Sequence, residues 1–325
     1  VTIPGKADPY YGGPEYETLG SLGSSCGVDD LDAVCKGNEI CNAYGMDTIS
    51  AGMTIAFAME CYENGILTKE DMDGLDAKFG SGEAMVKLLE KIARREGIGD
   101  LLAEGSLRAA QKIGKGAEQY SIQVKGQELP MHEPRLKTVL GLGYALSPTG
   151  ADHCHNVHDT GFEKNSSSYN ALGVGGGPIP ANDLSDQKVR ILAAQLPHKF
   201  FGNCVCLCSF VGWGYDKTVE LVRAATGWNT TLQEVSTVGE RAMTLTRIFN
   251  LREGFTADDD KLPKRIHEAF VSGPLEGVAI TPEQLDEAKR TYYEMMGWDR
   301  ETGVPLRGKM KQLDIEWALD MLEDK

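Results

Sequence analysis

Asp29-Asp-Leu-Asp-Ala-Val-Cys-Lys-Gly-Asn-Glu-Ile-Cys-Asn-Ala-Tyr-Gly45 runs directly into Met46-Asp-Thr-Ile-Ser-Ala-Gly-Met-Thr-Ile-Ala-Phe-Ala-Met-Glu60, and this stretch decides the fold. Leu31, Val34, Cys35, Asn38 and Cys41 recur at helical spacing, and Gly45 ends the pattern. Asp47 and Thr48 then supply caps for a second helix through Ile49, Met53, Ala56 and Met59 to Gly65. Outward from this pair the signal repeats. Met85, Leu88, Leu89 and Ile92 make another helical face, with Arg94 and Arg95 suited to its C-terminal dipole and Gly97 as a stop. Leu285, Ala288, Tyr292 and Met295 make one more near the C-terminus. Alternating strand patterns are scarce, and Tyr120 to Val124 is the best short candidate. The reading is an all-α chain of two packed helical domains, 1–122 and 123–325.

Two stretches break the helical pattern. Gln127 to Asp159 carries Pro130, Pro134, Pro148 and several glycines. Thr160 to Asp183 carries Ser166-Ser167-Ser168 and Gly175-Gly176-Gly177. Segments this long inside a compact chain are usually functional or disordered, and the second is expected to act as a flap over a pocket mouth.

Composition narrows the function. A net charge of −15 opposes nucleic acid or an anionic membrane as partner. No apolar run is long enough to span a bilayer, and no signal peptide is visible. The chain opens Val-Thr-Ile-Pro without Met, as an internal boundary or a processed chain would. Eight cysteines spread over 325 residues do not form a dense disulfide framework, and reduced thiols in a cytoplasm fit them better.

Four clusters could carry chemistry. Gly13-Pro14-Glu15-Tyr16-Glu17 sets two carboxylates beside a tyrosine; from spacing alone a solvated acidic turn explains it best. Asn42 to Asp47 places polar groups at a helix junction, where a ligand site and an ordinary glycine stop look alike. Between Gly150 and Asp159 lie His153, His155 and His158, three of the six histidines, beside Asp152 and Cys154. Acid–base work and metal ligation are both open there. Finally, Cys204-Val-Cys206-Leu-Cys208 is a thiolate run that lacks the second cluster a four-thiolate site requires.

Taken in order, these segments resemble the aldehyde:ferredoxin oxidoreductase family. The resemblance runs through Gly13-Pro-Glu-Tyr-Glu-Thr-Leu, Gly27-Val-Asp-Asp-Leu and Glu39 to Glu60. It continues with Glu90-Lys-Ile-Ala-Arg-Arg-Glu-Gly, Leu102-Ala-Glu-Gly-Ser, Val124-Lys-Gly-Gln-Glu-Leu-Pro and Gly141-Leu-Gly-Tyr-Ala. It closes with Asn250-Leu-Arg-Glu-Gly, Leu262-Pro-Lys-Arg and Tyr292-Tyr-Glu-Met-Met-Gly-Trp-Asp. It covers only the family's second and third domains.

The resemblance implies a tungsten (or molybdenum) centre held by two pterins, with two Asp-x-x-Gly-Leu-(Asp/Cys) motifs gripping them. The first motif maps onto Asn42, Gly45, Met46 and Asp47, the second onto Asn203, Leu207 and Cys208, with Cys206 at the glycine position. Both leading aspartates are asparagines here, which keep an acceptor oxygen and lose the charge. Cys208 corresponds to one ligand of a [4Fe–4S] cluster whose other three are expected outside this chain. Glu17 and His153 correspond to the family's active-site pair, while His132, His155 and His158 match no assigned role. Positions Lys36 and Val86 do not suit the iron that some relatives bind between subunits.

What the resemblance implies is oxidation of a small aldehyde to a carboxylate, with electrons passing through the cluster to ferredoxin. It also implies an N-terminal domain or subunit as partner, and a homo-oligomer is compatible with it. The alternatives are the tungsten subunit of a low-potential aromatic acyl-CoA reductase and a scaffold relative that has lost the chemistry.

Overall fold

The computed structural model describes residues 4–164, 172–174 and 177–323. It is helical, and the one sheet among the described residues is a two-stranded hairpin of Gln123–Val124 and Gln127–Glu128. The strand expected from Tyr120 shrinks accordingly, because Ala117–Tyr120 forms a 3₁₀ turn. Of the expected flap, 165–171 and 175–176 lie outside the described residues. The chain divides into two compact units. One runs to His132 and takes in Thr149–Ala151 and Pro263–Arg265; the other comprises Glu133–Pro148, Asp152–Leu262 and the chain from Ile266 onward.

In the first unit the deciding stretch folds as its caps dictate. Asp30 accepts from the amides of Asp32 and Ala33 and opens the Leu31–Tyr44 helix. Gly45 closes it at φ 67°, a left-handed conformation that costs glycine little. Asp47 opens Thr48–Glu63, a helix buried along much of its length. Gly82–Arg94 lays Met85, Leu88, Leu89 and Ile92 into the same core. Ahead of these helices the chain from Tyr16 is already helical, first Tyr16–Thr18 and then a π-helical turn, Leu19–Ser24. That segment is fixed to the start of Thr48–Glu63 by Thr18 Oγ1 on Thr48 Oγ1 at 2.9 Å and Ser21 Oγ donating to the Thr48 carbonyl at 2.9 Å.

In the second unit, Thr138–Leu146 is a helix inside a stretch expected to lack one. Nearly all of its side chains are buried, so it has no polar face and shows no amphipathic period. The long helices Asp186–Cys204 and Leu232–Arg252 pack closely. Gly239 makes this possible: a Cβ there would lie 1.7 Å from the carbonyl oxygen of Pro197. Gly239→Ala is therefore expected to cost about 1–3 kcal/mol, as overpacking does, read as a lower denaturant midpoint of this unit. Pro282–Met295 buries Leu285, Ala288, Tyr292 and Tyr293, whereas Met295 is exposed and Met296 is buried in its place.

Candidate active site

Glu17 is not on a solvated turn. Its neighbour Glu15 caps the helical segment by accepting from the Glu17 amide at 2.9 Å, which turns the Glu17 side chain inward to 6% exposure. There Oε2 accepts from the Met131 amide at 2.8 Å, and Oε1 lies 3.2 Å from His132 Nε2. Tyr16 stacks on the His132 ring and donates its hydroxyl to the Met131 carbonyl at 2.9 Å. A buried carboxylate with an imidazole beside it can hold or pass a proton. The sequence did not mark His132 as a neighbour of Glu17, since nothing local to it points there.

The Asn42–Asp47 and Asn203–Cys208 segments fold alike. In the first, the Gly45 amide donates to Asn42 O and the Met46 amide to Cys41 O; in the second, Cys206 donates to Asn203 O and Leu207 to Gly202 O. Both are helix C-caps of the Schellman kind. Gly45 and Cys206 both have positive φ, 67° and 55°. Asp47 at φ −67°, ψ 124° and Cys208 at φ −66°, ψ 126° leave the turns in the same direction. The third residue after each asparagine is thus left-handed, whether glycine or cysteine occupies it. Cys206→Gly should relieve a strain of about 1–2 kcal/mol and lose part of it to backbone entropy, for a net gain of about 1 kcal/mol in thermal unfolding.

Each turn opens on a cavity in its own unit. The first, about 360 Å³, is lined by Tyr44, Met46, Asp47, Ser50, Thr54 and Arg95 among others. The second, about 300 Å³, is lined by Cys154, His198, Lys199, Asn203, Leu207 and Cys208 among others. Burial pushes the His198 imidazole down to about 4 and lowers the Lys199 ammonium, so both favour the neutral form more than usual. Asn42 Nδ2 donates to Asn38 O at 2.8 Å, and Asn38 Oδ1 lies 3.1 Å from the same nitrogen, which leaves Oδ1 of Asn42 as the available acceptor. A Cβ on Gly45 would meet nothing within 4 Å. An available acceptor on Asn42, clear space over its turn and a cavity beside each segment fit a polar heterocycle such as a pterin.

The cysteines sort by exposure. Cys26, Cys41 and Cys61 are buried, and burial pushes their thiols up to about 12, so they serve as core. Cys154, Cys204, Cys206 and Cys208 are exposed, and none of the eight cysteines forms a disulfide. His153 is half-buried with Nε2 3.7 Å from Cys154 Sγ, and its ring meets His158 edge to face. Ligand atoms of Asp152, His153 and Cys154 lie within 4.8 Å of one another, so both readings of the histidine cluster stay geometrically open.

The family model described as aldehyde ferredoxin oxidoreductase, domains 2 and 3, matches residues 1–315. The chain belongs to the aldehyde ferredoxin oxidoreductase family. It is 37% identical over 311 residues to the tungsten-containing aldehyde ferredoxin oxidoreductase of Pyrococcus horikoshii, covering 94% of this chain and 49% of that protein. It is 32% identical to the WOR-like subunit of an aliphatic sulfonate oxidoreductase from Pyrococcus furiosus, covering 94% of this chain and 47% of that subunit. The chain thus spans about half the length of the curated relatives it matches. Among solved structures it is similar to the active-site complex BamBC of benzoyl coenzyme A reductase bound to 1,5-dienoyl-CoA. The TM-score is 0.72 at 23% identity, over 94% of this chain and 49% of that one, a likeness of fold. In an aldehyde ferredoxin oxidoreductase relative the helical fold expected from the sequence is therefore the family's own. No helix among the described residues is long and apolar enough to cross a membrane.

Proposed function

We propose that this chain is the helical half of a tungsten-pterin oxidoreductase that converts a small aldehyde and water to a carboxylate. The overall change is RCHO + H₂O → RCOO⁻ + 3 H⁺ + 2 e⁻; a [4Fe–4S] cluster held in part by Cys208 would supply the outlet for the two electrons, with ferredoxin as their acceptor. The observation that carries this reading is the matched conformation of the two hexapeptide turns, each beside a cavity, in a chain of this family. When bound, the metal–pterin group supplies the two-electron step. The chain's residues do the rest. Asn42 and Asn203 offer amide oxygens to pterin amino groups, Met46 and Leu207 give apolar contact, and Asp47 keeps the one negative charge. Cys208 supplies one thiolate to the cluster, and the N-terminal half supplies the other three. Glu17, paired with His132, and His153 take up protons and orient the carbonyl. Val205, Phe210, Val211 and Trp213, all exposed around Cys208, fit a surface that the N-terminal half covers.

The test is anaerobic purification of the protein with its N-terminal half from tungstate-supplemented cells, followed by dye-reduction assays. Aldehyde-dependent reduction is expected. Tungsten without aldehyde turnover, but with turnover of an aromatic thioester, would replace this reading by the acyl-CoA reductase one. Absence of both tungsten and molybdenum would leave a scaffold.

A further inference from the structure

His155 has a place in the molecule that the reaction above does not use. It is buried in the second unit, with its ring against Phe200 at 5.2 Å between centroids. Both ring nitrogens are engaged: Nδ1 lies 3.0 Å from Asp152 Oδ2, and Nε2 lies 3.1 Å from Ser147 Oγ. Ser147 follows the Thr138–Leu146 helix directly and donates its amide to Gly143 O, so it is a fixed point. Asp152 is tied in turn, since its Oδ1 accepts from the Cys154 amide at 2.7 Å and its carbonyl accepts from Asn156 Nδ2 at 2.9 Å. His153 sits inside this closed turn, between the carboxylate and the amide that it binds.

We propose that His155 is a positioning residue: strung between Ser147 and Asp152, it locks the turn that presents His153. The proposal rests on the acid–base reading of His153. An ionised Asp152 accepts from Nδ1–H, which leaves Nε2 as the acceptor for the Ser147 hydroxyl and fixes one tautomer. Burial pushes the Asp152 carboxyl up, but the hydrogen bonds from His155 and from the Cys154 amide outweigh it and hold it below the ordinary carboxylate range. The order Ser–His–Asp, with serine on Nε2 and aspartate on Nδ1, is that of serine hydrolases. Here it does not serve that chemistry. The cavity lined by Ser147 and His155 measures about 20 Å³, room for a water and not for an acyl group.

The test separates packing from hydrogen bonding. His155→Phe keeps a ring against Phe200 and removes both polar contacts; His155→Gln keeps donor and acceptor capacity. In His155→Phe, hydrogen exchange of the Cys154 amide should accelerate about tenfold, the loss of a bond of ordinary strength. The carboxyl titration of Asp152, followed by ¹³C NMR, should move up toward its ordinary range, and His155→Gln should recover most of both. Wild-type exchange and titration in a folded His155→Phe would overturn the proposal. If His155→Phe does not fold, Ser147→Ala takes its place: faster Cys154 exchange supports the proposal and unchanged exchange overturns it. If His153→Ala leaves turnover of the full enzyme intact, the acid–base reading falls, while the exchange result still decides the role of His155.

Discussion

Lys188→Ala should lower the unfolding free energy of the second unit by about 3–5 kcal/mol, the effect of leaving one buried charge without its partner. Lys188 and Asp159 are both at 0% side-chain exposure, with Nζ 2.5 Å from Oδ1. Asp159 accepts the amides of Val139 and Leu140 at 3.0 Å each and so caps the start of Thr138–Leu146 from the end of the histidine-rich segment. Burial raises the Asp159 carboxyl, and the Lys188 ammonium and these amides pull it back. Lys188 also donates to the carbonyls of Pro180 and Ala181 at 2.7 and 2.6 Å. Without it, the buried Asp159 carboxylate keeps its two amide donors but loses its counter-charge. Guanidinium denaturation of the variant measures the loss. The double variant Asp159→Asn/Lys188→Met should recover part of it, because no charge is then buried. A Lys188→Ala variant with an unshifted midpoint would show that the pair is not maintained in solution.

In the intact enzyme, Glu17→Gln and His153→Ala should each slow turnover by about a hundredfold or more, the usual worth of a positioned proton carrier. The amide oxygen introduced by Glu17→Gln can still accept from the Met131 amide and keep the local fold, so the loss would report proton handling. Steady-state kinetics with a small aldehyde should show the fall in kcat. Near-wild-type turnover in either variant would remove that residue from the acid–base role.

The helices that the sequence revealed are those whose signals are local. Asp30 and Gly45 bracket one helix, Asp47 and Gly65 the next, and each acts within a turn of the residue it controls. Burial that depends on distant partners was not legible. Glu17 looks like part of a solvated acidic turn until Met131, 114 residues away, closes over it. Thr138–Leu146 hides because a helix buried on all sides has no polar stripe to give it a period. Met295 and Met296 exchange places because Tyr292 and Tyr293 are both buried, which shifts the face by one residue. At the candidate site the two hexapeptides were visible as motifs, but their common conformation was not. Cysteine at position 206 gives no hint that the backbone there is left-handed.

If these two turns hold a metal–pterin group completed by an N-terminal half, metal content should follow that half. Tungsten and iron should therefore be measured side by side in the chain alone and in the protein with that half, both purified anaerobically, with aldehyde-dependent dye reduction as the accompanying assay. Stoichiometric tungsten and turnover are expected only when the N-terminal half is present, since Cys208 is the one cluster ligand assigned to this chain. Stoichiometric tungsten with turnover in the isolated chain would contradict that expectation.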